Sequence, residues 1–304
     1  MISKQSKRND AHEEPRLPGS PDWLPSQRRA DKTKVRACSL PVVQELGHNF
    51  RGGLCMSTWV EGTVVNLRQW TDELYSIQVT ADIAPFTAGQ FTRVALEIDG
   101  EMVARPYSFV NAPDNPVHEF YFVLVKNGPL THAMRDLKRG DTLFLAPRGA
   151  GFFILSEIPE ADNLWMLATG TALGPFLSIL STAEAWQRHR NIVLVHAVRT
   201  AEELTYGDEI RALLEQHPGE LQFIPFVSRE DTGFAIRSRV PAALEDGRLE
   251  QTAGISITAS DSQVMICGNP AMVRDTMAVL EARGLKKNRR REPGQITTEQ
   301  YWKA

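Results

Sequence analysis

The segment Asn163-Leu-Trp-Met-Leu-Ala-Thr-Gly-Thr-Ala-Leu-Gly-Pro175 decides the fold class of the second half of the chain. Its apolar first half predicts a buried strand over 163–169. The glycines let the following loop turn tightly and approach a ligand closely, and Pro175 suits the first turn of a helix because no N–H is needed there. A strand that leads through such a loop into a helix indicates a parallel sheet covered by helices.

The chain after this segment repeats the alternation of strand and helix. Parallel strands joined by helices predict a Rossmann-like sheet, whose ligands lie at the carboxyl ends of the strands. We therefore place an α/β domain at 158–304. The further strands are predicted at 191–197, 221–227 and 263–267, and the helices at 175–188, 206–216, 239–245 and 271–283.

The segment 56–157 has short strands rich in β-branched and aromatic residues, separated by turn sequences such as Asp99-Gly100. Six strands at this spacing predict an antiparallel barrel, with a short helix at 130–137. The expected fold class is thus β + α/β, with an antiparallel six-stranded barrel followed by the Rossmann-like domain. The predicted strands are 60–67, 74–80, 90–98, 105–111, 119–125 and 141–147.

Composition excludes several classes of protein. The chain has 304 residues, 42% of them hydrophobic, and a net charge of −3, which does not indicate a nucleic-acid-binding protein. No apolar run approaches the roughly 20 residues of a membrane span. The cysteines, Cys38, Cys55 and Cys267, are too few for a disulfide framework, a metal site or an iron–sulfur cluster. We expect a cytoplasmic monomer without a metal ion.

Residues 1–55 combine many Lys and Arg with Pro, Asp and Glu and have no apolar periodicity. A disordered extension, a targeting segment and upstream sequence outside the native product remain open, although the acidic residues argue against a transit peptide. Met56 begins a sequence that leads directly into the first predicted strand. We favour a start at Met56 or a disordered extension over a folded role.

The sequence Arg105-Pro-Tyr-Ser108 brings three chemistries together in one strand. Arg105 offers a cation for a pyrophosphate, Tyr107 an aromatic surface and Ser108 a hydrogen-bonding group, which are the needs of a flavin dinucleotide. Successive residues of a strand face opposite sides, so Tyr107 and Ser108 reach one ring only if the strand ends or bends there. Pro106 is consistent with an edge strand. The alternative is an ordinary edge strand with a core tyrosine.

The sequence Leu124-Val-Lys-Asn-Gly-Pro-Leu-Thr131 follows a predicted strand. Gly128 allows close backbone approach, and Thr131 could cap a helix that starts near Leu130. The N-terminus of that helix can hold a phosphate through its free N–H groups. The alternative is a turn followed by a capped helix without a ligand.

Four polar residues follow the second and third strands of the α/β domain: Arg199, Ser228, Arg229 and Arg239. A ribose 2′-phosphate favours guanidinium groups, whereas an NAD site more often places an acid on the ribose. Glu230 is adjacent, but no acid stands at the strand ends themselves. The alternative is a solvated basic surface.

The sequence Cys267-Gly-Asn-Pro270 ends the last predicted strand before a helix. Gly268 permits a ring to approach the backbone, and the Cys267 thiol can pack near a nicotinamide. A lone cysteine at a strand end is also common as buried filling.

In this order and spacing the motifs resemble the bacterial-type ferredoxin/flavodoxin–NADP reductases, and the resemblance extends from Thr58 to Trp302. It implies FAD and NADP(H) as cofactors and electron transfer between NADPH and ferredoxin or flavodoxin. It also implies Ser108 and Cys267 as catalytic residues. The implied FAD residues are Arg105, Pro106, Tyr107, Ser108, Leu124, Val125, Gly128, Leu130, Thr131, Thr171 and Trp302. The implied NADP residues are Thr171, Arg199, Ser228, Arg229, Arg239, Cys267, Gly268 and Asn269.

The chain departs from the family pattern at several places. Ala172 replaces the second glycine of the usual nucleotide loop, as in the flavodoxin-reductase branch. No insertion between Val125 and Leu137 is visible to hold the adenosine. Lys303 and Ala304 follow Tyr301-Trp302, so either aromatic could stack on the adenine. The glutamate near the terminus of plastid-type members has no clear counterpart.

Two other functions remain open from the sequence. The reductase component of an oxygenase would use NADH and usually carry a fused iron–sulfur domain, for which the single cysteine after Met56 is insufficient. A flavin-binding sensor would not need the arginines or the Cys267 segment. The basic run Lys286-Lys-Asn-Arg-Arg-Arg291 could dock an acidic carrier protein, or be a solvated face.

Overall fold

The computed structural model describes residues 59–300. The predictions for residues 1–55, Met56, Tyr301 and Trp302 lie outside the described residues. Across 59–300, no helix has both the length and the apolar character needed to cross a bilayer.

The first half of the described chain forms an antiparallel sheet with the strand order β4-β3-β6-β1-β2-β5. An isolated bridge between Phe109 and Phe120 joins the continuation of β4 to β5 and brings the two edges together. A helix, α1 (Pro129–Asp136), lies between β5 and β6 in the sequence. The strands are β1 (Val60–Gln69), β2 (Leu74–Ala81), β3 (Phe91–Ile98), β4 (Glu101–Ser108), β5 (Val117–Val123) and β6 (Thr142–Leu145).

Alternating side chains of these strands fill one apolar interior. Val64, Ile77 and Phe120 are fully buried there. The rings of Phe86 and Phe109 stack with centroids 3.7 Å apart. The predicted antiparallel barrel is thus confirmed, and its apolar interior explains why the strands are rich in aromatic and β-branched residues.

The second half forms a five-stranded parallel sheet in the order β11-β10-β7-β8-β9. The central strand β7 is almost entirely buried because helices cover both faces of the sheet. The strands are β7 (Asn163–Thr169), β8 (Asn191–Val198), β9 (Leu221–Val227), β10 (Ser262–Gly268) and β11 (Ile296–Gln300), and the helices are α2 (Leu173–Leu180), α3 (Ala183–Arg188), α4 (Gly207–Gln216), α5 (Val240–Glu245), α6 (Arg248–Ala253) and α7 (Pro270–Ala282).

Some predicted boundaries were wrong. The helix predicted at 175–188 is two helices, α2 and α3. The hydroxyls of Ser181 and Thr182 donate to the Leu177 and Ile179 carbonyls, which completes the hydrogen bonds of the α2 terminus. Strand β4 begins at Glu101, before the predicted Arg105. Helix α6 and strand β11 were not predicted.

The two halves share one continuous core. Val110 and Tyr121 of the first half pack in the same apolar cluster as Phe176 of α2. Gly174 permits this contact, because a Cβ there would lie 3.2 Å from a Val110 methyl group. The Ser178 hydroxyl donates to the Asn111 carbonyl at 2.7 Å. The two halves are therefore held together by packed, buried structure.

Candidate functional site

The end of β4 lies at the edge of the antiparallel sheet, as Pro106 predicted. The strand stops at Ser108, which is buried and pairs with Phe91. Tyr107 is partly buried with its ring edge toward Phe122, and burial raises the pKa of its hydroxyl to about 12. That hydroxyl therefore stays protonated at neutral pH. Tyr107 and Ser108 can reach one ring only if the strand ends or bends there, and it ends at Ser108.

Arg105 precedes these residues with an exposed side chain. One of its terminal nitrogens donates to the Ala104 carbonyl at 2.7 Å. A guanidinium has five N–H donors, so this bond leaves several for an anion at the surface. Arg105 thus places a permanent positive charge beside the strand end.

The loop after β5 is compact around Gly128. A Cβ at Gly128 would lie 2.8 Å from Cβ of Val125, so the residue must be glycine for this packing. Thr131 does not cap the helix as predicted, since Gly128 is the N-cap and the helix begins at Pro129. The Thr131 hydroxyl instead donates to the Gly128 carbonyl and accepts from the Val125 N–H. These bonds hold the loop rigidly in front of α1.

The side chains of this loop divide between the core and the surface. Leu130 and Thr131 are buried, whereas Val125 is 52% exposed and Leu124 is intermediate. An exposed valine beside the first turn of α1 offers an apolar surface next to unpaired helix N–H groups. The loop can therefore contact both the apolar and the phosphate part of a dinucleotide.

The loop after β7 is shaped by glycine and by a buried histidine. Gly170 has a positive φ of 54° and starts a 3₁₀ turn that contains Thr171. His196 of β8 contacts the Gly170 carbonyl through Nε2 at 3.0 Å, so Nε2 carries the proton. Burial lowers the pKa of His196 to about 4, which keeps the ring neutral. The partly exposed Thr171 is thereby held at the carboxyl end of the sheet.

The segment after β10 is tied to the same loop. The Asn269 N–H donates to the Thr169 hydroxyl at 2.9 Å. A Cβ on Gly268 would lie 2.1 Å from that hydroxyl oxygen, and Gly268 has φ of 132°. Position 268 therefore requires glycine because Thr169 approaches it closely. The sequence had suggested that a ring would make this approach. The Asn269 side chain accepts from the Ala271 and Met272 N–H groups and caps α7.

The backbones of Arg199 and Arg229 meet at the ends of β8 and β9. The Arg229 N–H donates to the Arg199 carbonyl at 2.9 Å, and the Ser228 hydroxyl donates to the Val198 carbonyl. The Glu230 carboxylate accepts from the Ala201 N–H at 2.8 Å. Glu230, the acid adjacent to these strand ends, is thus engaged with the backbone.

Arg239 is exposed at the N-cap of α5. The segment that leads to it is joined to β9, since the Val227 N–H donates to the Ile236 carbonyl. Arg237 is also exposed beside it and was missed by the sequence reasoning, although its Arg-x-Arg spacing with Arg239 was visible. These arginines extend the basic edge that begins at Arg199.

Glu299 is the clearest residue that sequence reasoning missed. It lies on β11 directly opposite the buried Cys267. Burial raises the pKa of its carboxyl from 4.5 to about 7. Its position just before Tyr301-Trp302 was visible, but the parallel pairing of β11 with β10 was not.

A series of contacts joins the end of β11, which carries Glu299, to the end of β4. Phe91 pairs with Ser108 and also with Ala150. A Cβ on Gly151 would lie 3.1 Å from the Phe91 ring and 3.7 Å from a Glu299 carboxylate oxygen. Ser108 and Glu299 are therefore linked through Phe91 and Gly151 where the two sheets meet, and the buried Cys267 lies on the strand beside Glu299.

This arrangement agrees with similarity to known proteins. A family model described as an oxidoreductase NAD-binding domain matches residues 166–278. The flavodoxin/ferredoxin–NADP reductase of Escherichia coli K12 is 48% identical over 81% of this chain and 100% of its own length. The chain belongs to the flavodoxin/ferredoxin–NADP reductase family.

Other members of the family support the same conclusion. The ferredoxin–NADP reductase of Pseudomonas aeruginosa is 34% identical, over 80% of this chain and 98% of its own. The crystal structure of a ferredoxin NADP+ reductase from Neisseria gonorrhoeae with bound FAD and NADP matches with a TM-score of 0.76 and 31% identity, and covers 81% of this chain and 100% of that one. The predicted fold, enzyme class and FAD and NADP cofactors are confirmed at the level of this reductase family.

Proposed function

We propose that this reductase uses FAD to move electrons between NADPH and ferredoxin or flavodoxin. The observation that supports it most is the link from Ser108 of one sheet, through Phe91 and Gly151, to Glu299 and its neighbour Cys267 of the other, at a junction that we propose as the nucleotide-binding cleft. When bound, FAD accepts a hydride as an electron pair and releases electrons one at a time. The task of the chain is to bind and orient both nucleotides in that cleft.

The residues of the first half fit FAD. Arg105 supplies an exposed cation, Tyr107 an aromatic face and Ser108 a buried hydroxyl at one strand end. Gly128 and the first turn of α1 form a cradle for a phosphate, where a Cβ would collide with Val125. We propose 56–157 as the FAD-binding domain, with Leu124, Val125, Leu130 and Thr131 lining the cradle and Thr171 reaching the flavin from the other side.

The residues of the second half fit NADP. Arg199 and Arg229 follow β8 and β9, Arg239 lies at the N-cap of α5, and the nearby Glu230 is engaged with a backbone N–H. A 2′-phosphate would gain charge-assisted hydrogen bonds there, while the ribose hydroxyls of NADH would gain few. We propose 158–304 as the NADP-binding domain, with Ser228 at the phosphate and Thr171, Cys267, Gly268 and Asn269 at the nicotinamide.

We propose roles at the reacting atoms for three side chains. The Ser108 hydroxyl offers a hydrogen bond to the acceptor atom of the flavin ring. Cys267 would lie beside a bound nicotinamide, where its small, buried thiol would keep water out. Glu299, with a pKa of about 7, can hold or give up a proton at neutral pH.

We further propose that the carrier protein docks at Phe152, which is 65% exposed and directly follows Gly151 of the cleft. The Arg290 guanidinium lies 4.5 Å from the centre of the Phe152 ring and pairs with Glu157. Most of the basic run lies in the loop before β11, toward the amino ends of the strands. Its exposed charges can steer an acidic partner toward this ring.

The direct test is anaerobic addition of NADPH or NADH to the purified full chain, followed by visible spectroscopy. A yellow protein bleached much faster by NADPH than by NADH supports both nucleotide assignments. A colourless folded protein would contradict the FAD site, and equal bleaching rates would contradict the basic edge. Arg229→Ala should raise KM for NADPH far more than KM for NADH, whereas equal effects would remove Arg229 from the 2′-phosphate site.

A further inference from the structure

Arg199 is already engaged by two carboxylates at the edge proposed for the 2′-phosphate. Glu203 accepts from the Arg199 backbone N–H and from its Nε, both at 2.8 Å, and lies 2.6 Å from Nη2. Glu73 approaches the same Nη2 at 3.3 Å. A phosphate that binds Arg199 must therefore share or displace a carboxylate.

The two carboxylates differ in how readily they can move. Glu203 is only 14% exposed, and the backbone N–H of Arg199 holds its carboxylate in place. Glu73 is 62% exposed, and its contact with Arg199 is the longer one. Glu203 is therefore a fixed partner that orients the guanidinium, whereas the Glu73 carboxylate can be displaced.

Glu73 also comes from the other half of the molecule. It directly precedes β2, and its carbonyl accepts from the Leu124 N–H at 2.8 Å. Leu124 belongs to the loop proposed to hold FAD. The backbone that carries the Glu73 carboxylate is thus fixed on the FAD side of the cleft, facing the NADP side.

We propose that Glu73 is a specificity-determining residue that competes with the 2′-phosphate of NADP(H) for Arg199. A phosphate monoester carries close to two negative charges at pH 7, so Glu73 repels it as well as occupying a donor. In the absence of nucleotide, Glu73 helps to keep Arg199 in place. With nucleotide present, it lowers the affinity for the phosphate and so favours release of NADP. This role rests on the proposed function, because it requires Arg199 to bind the 2′-phosphate.

The test measures binding of adenosine 2′,5′-bisphosphate and of AMP by titration calorimetry at low salt. Glu73→Gln removes the charge with little change of shape, and it should tighten binding of the bisphosphate about two- to fivefold, in the range of an exposed ion pair. Glu73→Lys should tighten it further. AMP binding should stay unchanged in both variants. Unchanged or weaker bisphosphate binding in Glu73→Gln would overturn the proposal.

Glu97→Gln is the matched control for a change of net charge. Glu97 is exposed on β3, three positions from β2 in the order of the sheet. Its loss should leave bisphosphate binding at the wild-type value. An equal gain in Glu97→Gln and Glu73→Gln would show a general charge effect and would also overturn the proposal.

Arg199→Ala separates this inference from the proposed function. Arg199→Ala should weaken bisphosphate binding, and the Glu73→Gln effect should disappear in the double variant. If Arg199→Ala binds as wild type, the Arg199 assignment and the inference fall together. If Arg199→Ala weakens binding while Glu73→Gln changes nothing, or keeps its gain in the double variant, only the inference fails.

Discussion

Glu299 shows how one buried carboxyl group can differ from its free form. Its pKa rises from 4.5 to about 7 because burial disfavours the charged state. Below pH 4.5 the group is protonated in both the folded and the unfolded chain. Between pH 4.5 and 7 the unfolded chain ionises first, so stability falls as the pH rises. Above pH 7 the full penalty of a buried charge is present.

Glu299→Gln should therefore be more stable than the wild type above pH 7, and about equal below pH 4.5. The rise of the pKa from 4.5 to about 7 corresponds to an upper limit near 3 kcal/mol, and we expect about 1–2 kcal/mol because the side chain is partly exposed. Urea unfolding at pH 5 and pH 8 measures the difference. Glu97→Gln, an exposed control, should show no such dependence. A constant Glu299→Gln difference at both pH values would contradict the raised pKa.

Ser108→Ala tests the role of the strand end in hydride transfer. The loss of one hydrogen bond to the ring should slow anaerobic reduction by NADPH about 10- to 100-fold, since transfer depends on positioning. FAD should remain bound, because Arg105 and the Gly128 loop are unchanged. Stopped-flow absorbance gives the rate, and the visible spectrum gives the FAD content. An unchanged rate would exclude Ser108 from the reacting centre.

At the scale of the element, the loops at the carboxyl ends of β7 and β10 form one unit. Asn269 makes two kinds of hydrogen bond there: its backbone N–H donates to the Thr169 hydroxyl, and its side chain caps α7. The sequence predicted the helix start but not the cap. Asn is a favoured N-cap residue because its side-chain oxygen satisfies free N–H groups of the first turn.

Asn269→Ala should lower the free energy of unfolding by about 1 kcal/mol, the usual cost of a lost N-cap. Its backbone bond to Thr169 survives, so the loop stays in place and FAD binding should not change. Thermal and urea unfolding measure the loss. Asn269→Ser restores a capping oxygen and should recover most of it. Equal stability of Asn269→Ala and the wild type would show that the cap contributes nothing.

Strand β11 and the split between α2 and α3 were hidden from sequence reasoning for physical reasons. Strand β11, Ile-Thr-Thr-Glu-Gln, has one apolar residue and lies at the edge of its sheet, so it shows no alternating pattern. The split between α2 and α3 depends on hydroxyl bonds of Ser181 and Thr182 that polar composition alone does not specify. The buried strands β7, β8 and β10 were predictable because their apolar runs are bounded by polar and glycine residues.

At the scale of the whole molecule, the shared core makes the two halves one platform for a partner. The exposed Phe152 ring lies beside the cleft, under Arg290. Lys287 and Arg291 are exposed in the same basic loop. An acidic carrier approaching the ring would experience attraction from these charges over a Debye length of about 10 Å at 0.1 M salt.

Reversing the charges of Lys287 and Arg291 together to Glu should slow reduction of ferredoxin or flavodoxin about tenfold at low salt. The effect should vanish near 1 M salt, where the Debye length is about 3 Å. Reduction of a small dye should be unaffected. Lys138→Glu, in the exposed loop before β6, is a control at the other end of that strand from Phe152. Carrier reduction that does not depend on salt or on these charges would contradict docking at this surface.

The sequence by itself determined the order of the elements, the two kinds of sheet and the motifs of the family. It could do so because each of these is written in neighbouring residues: apolar periods, turn glycines, and short strand-end sequences such as Arg105–Ser108. Most of the proposed site residues come from such motifs, and the structure places them at the strand ends where parallel and edge strands make ligand sites.

Only the tertiary structure decided which strand ends face one another and which side chains share a donor. Glu299 opposite Cys267, Thr169 against Gly268, and Glu73 against Arg199 join residues far apart in the chain, the last pair separated by 126 positions. Burial also sets the pKa values of Glu299 and His196. Such contacts and desolvation depend on how whole sheets pack, and no local pattern of residues records that packing.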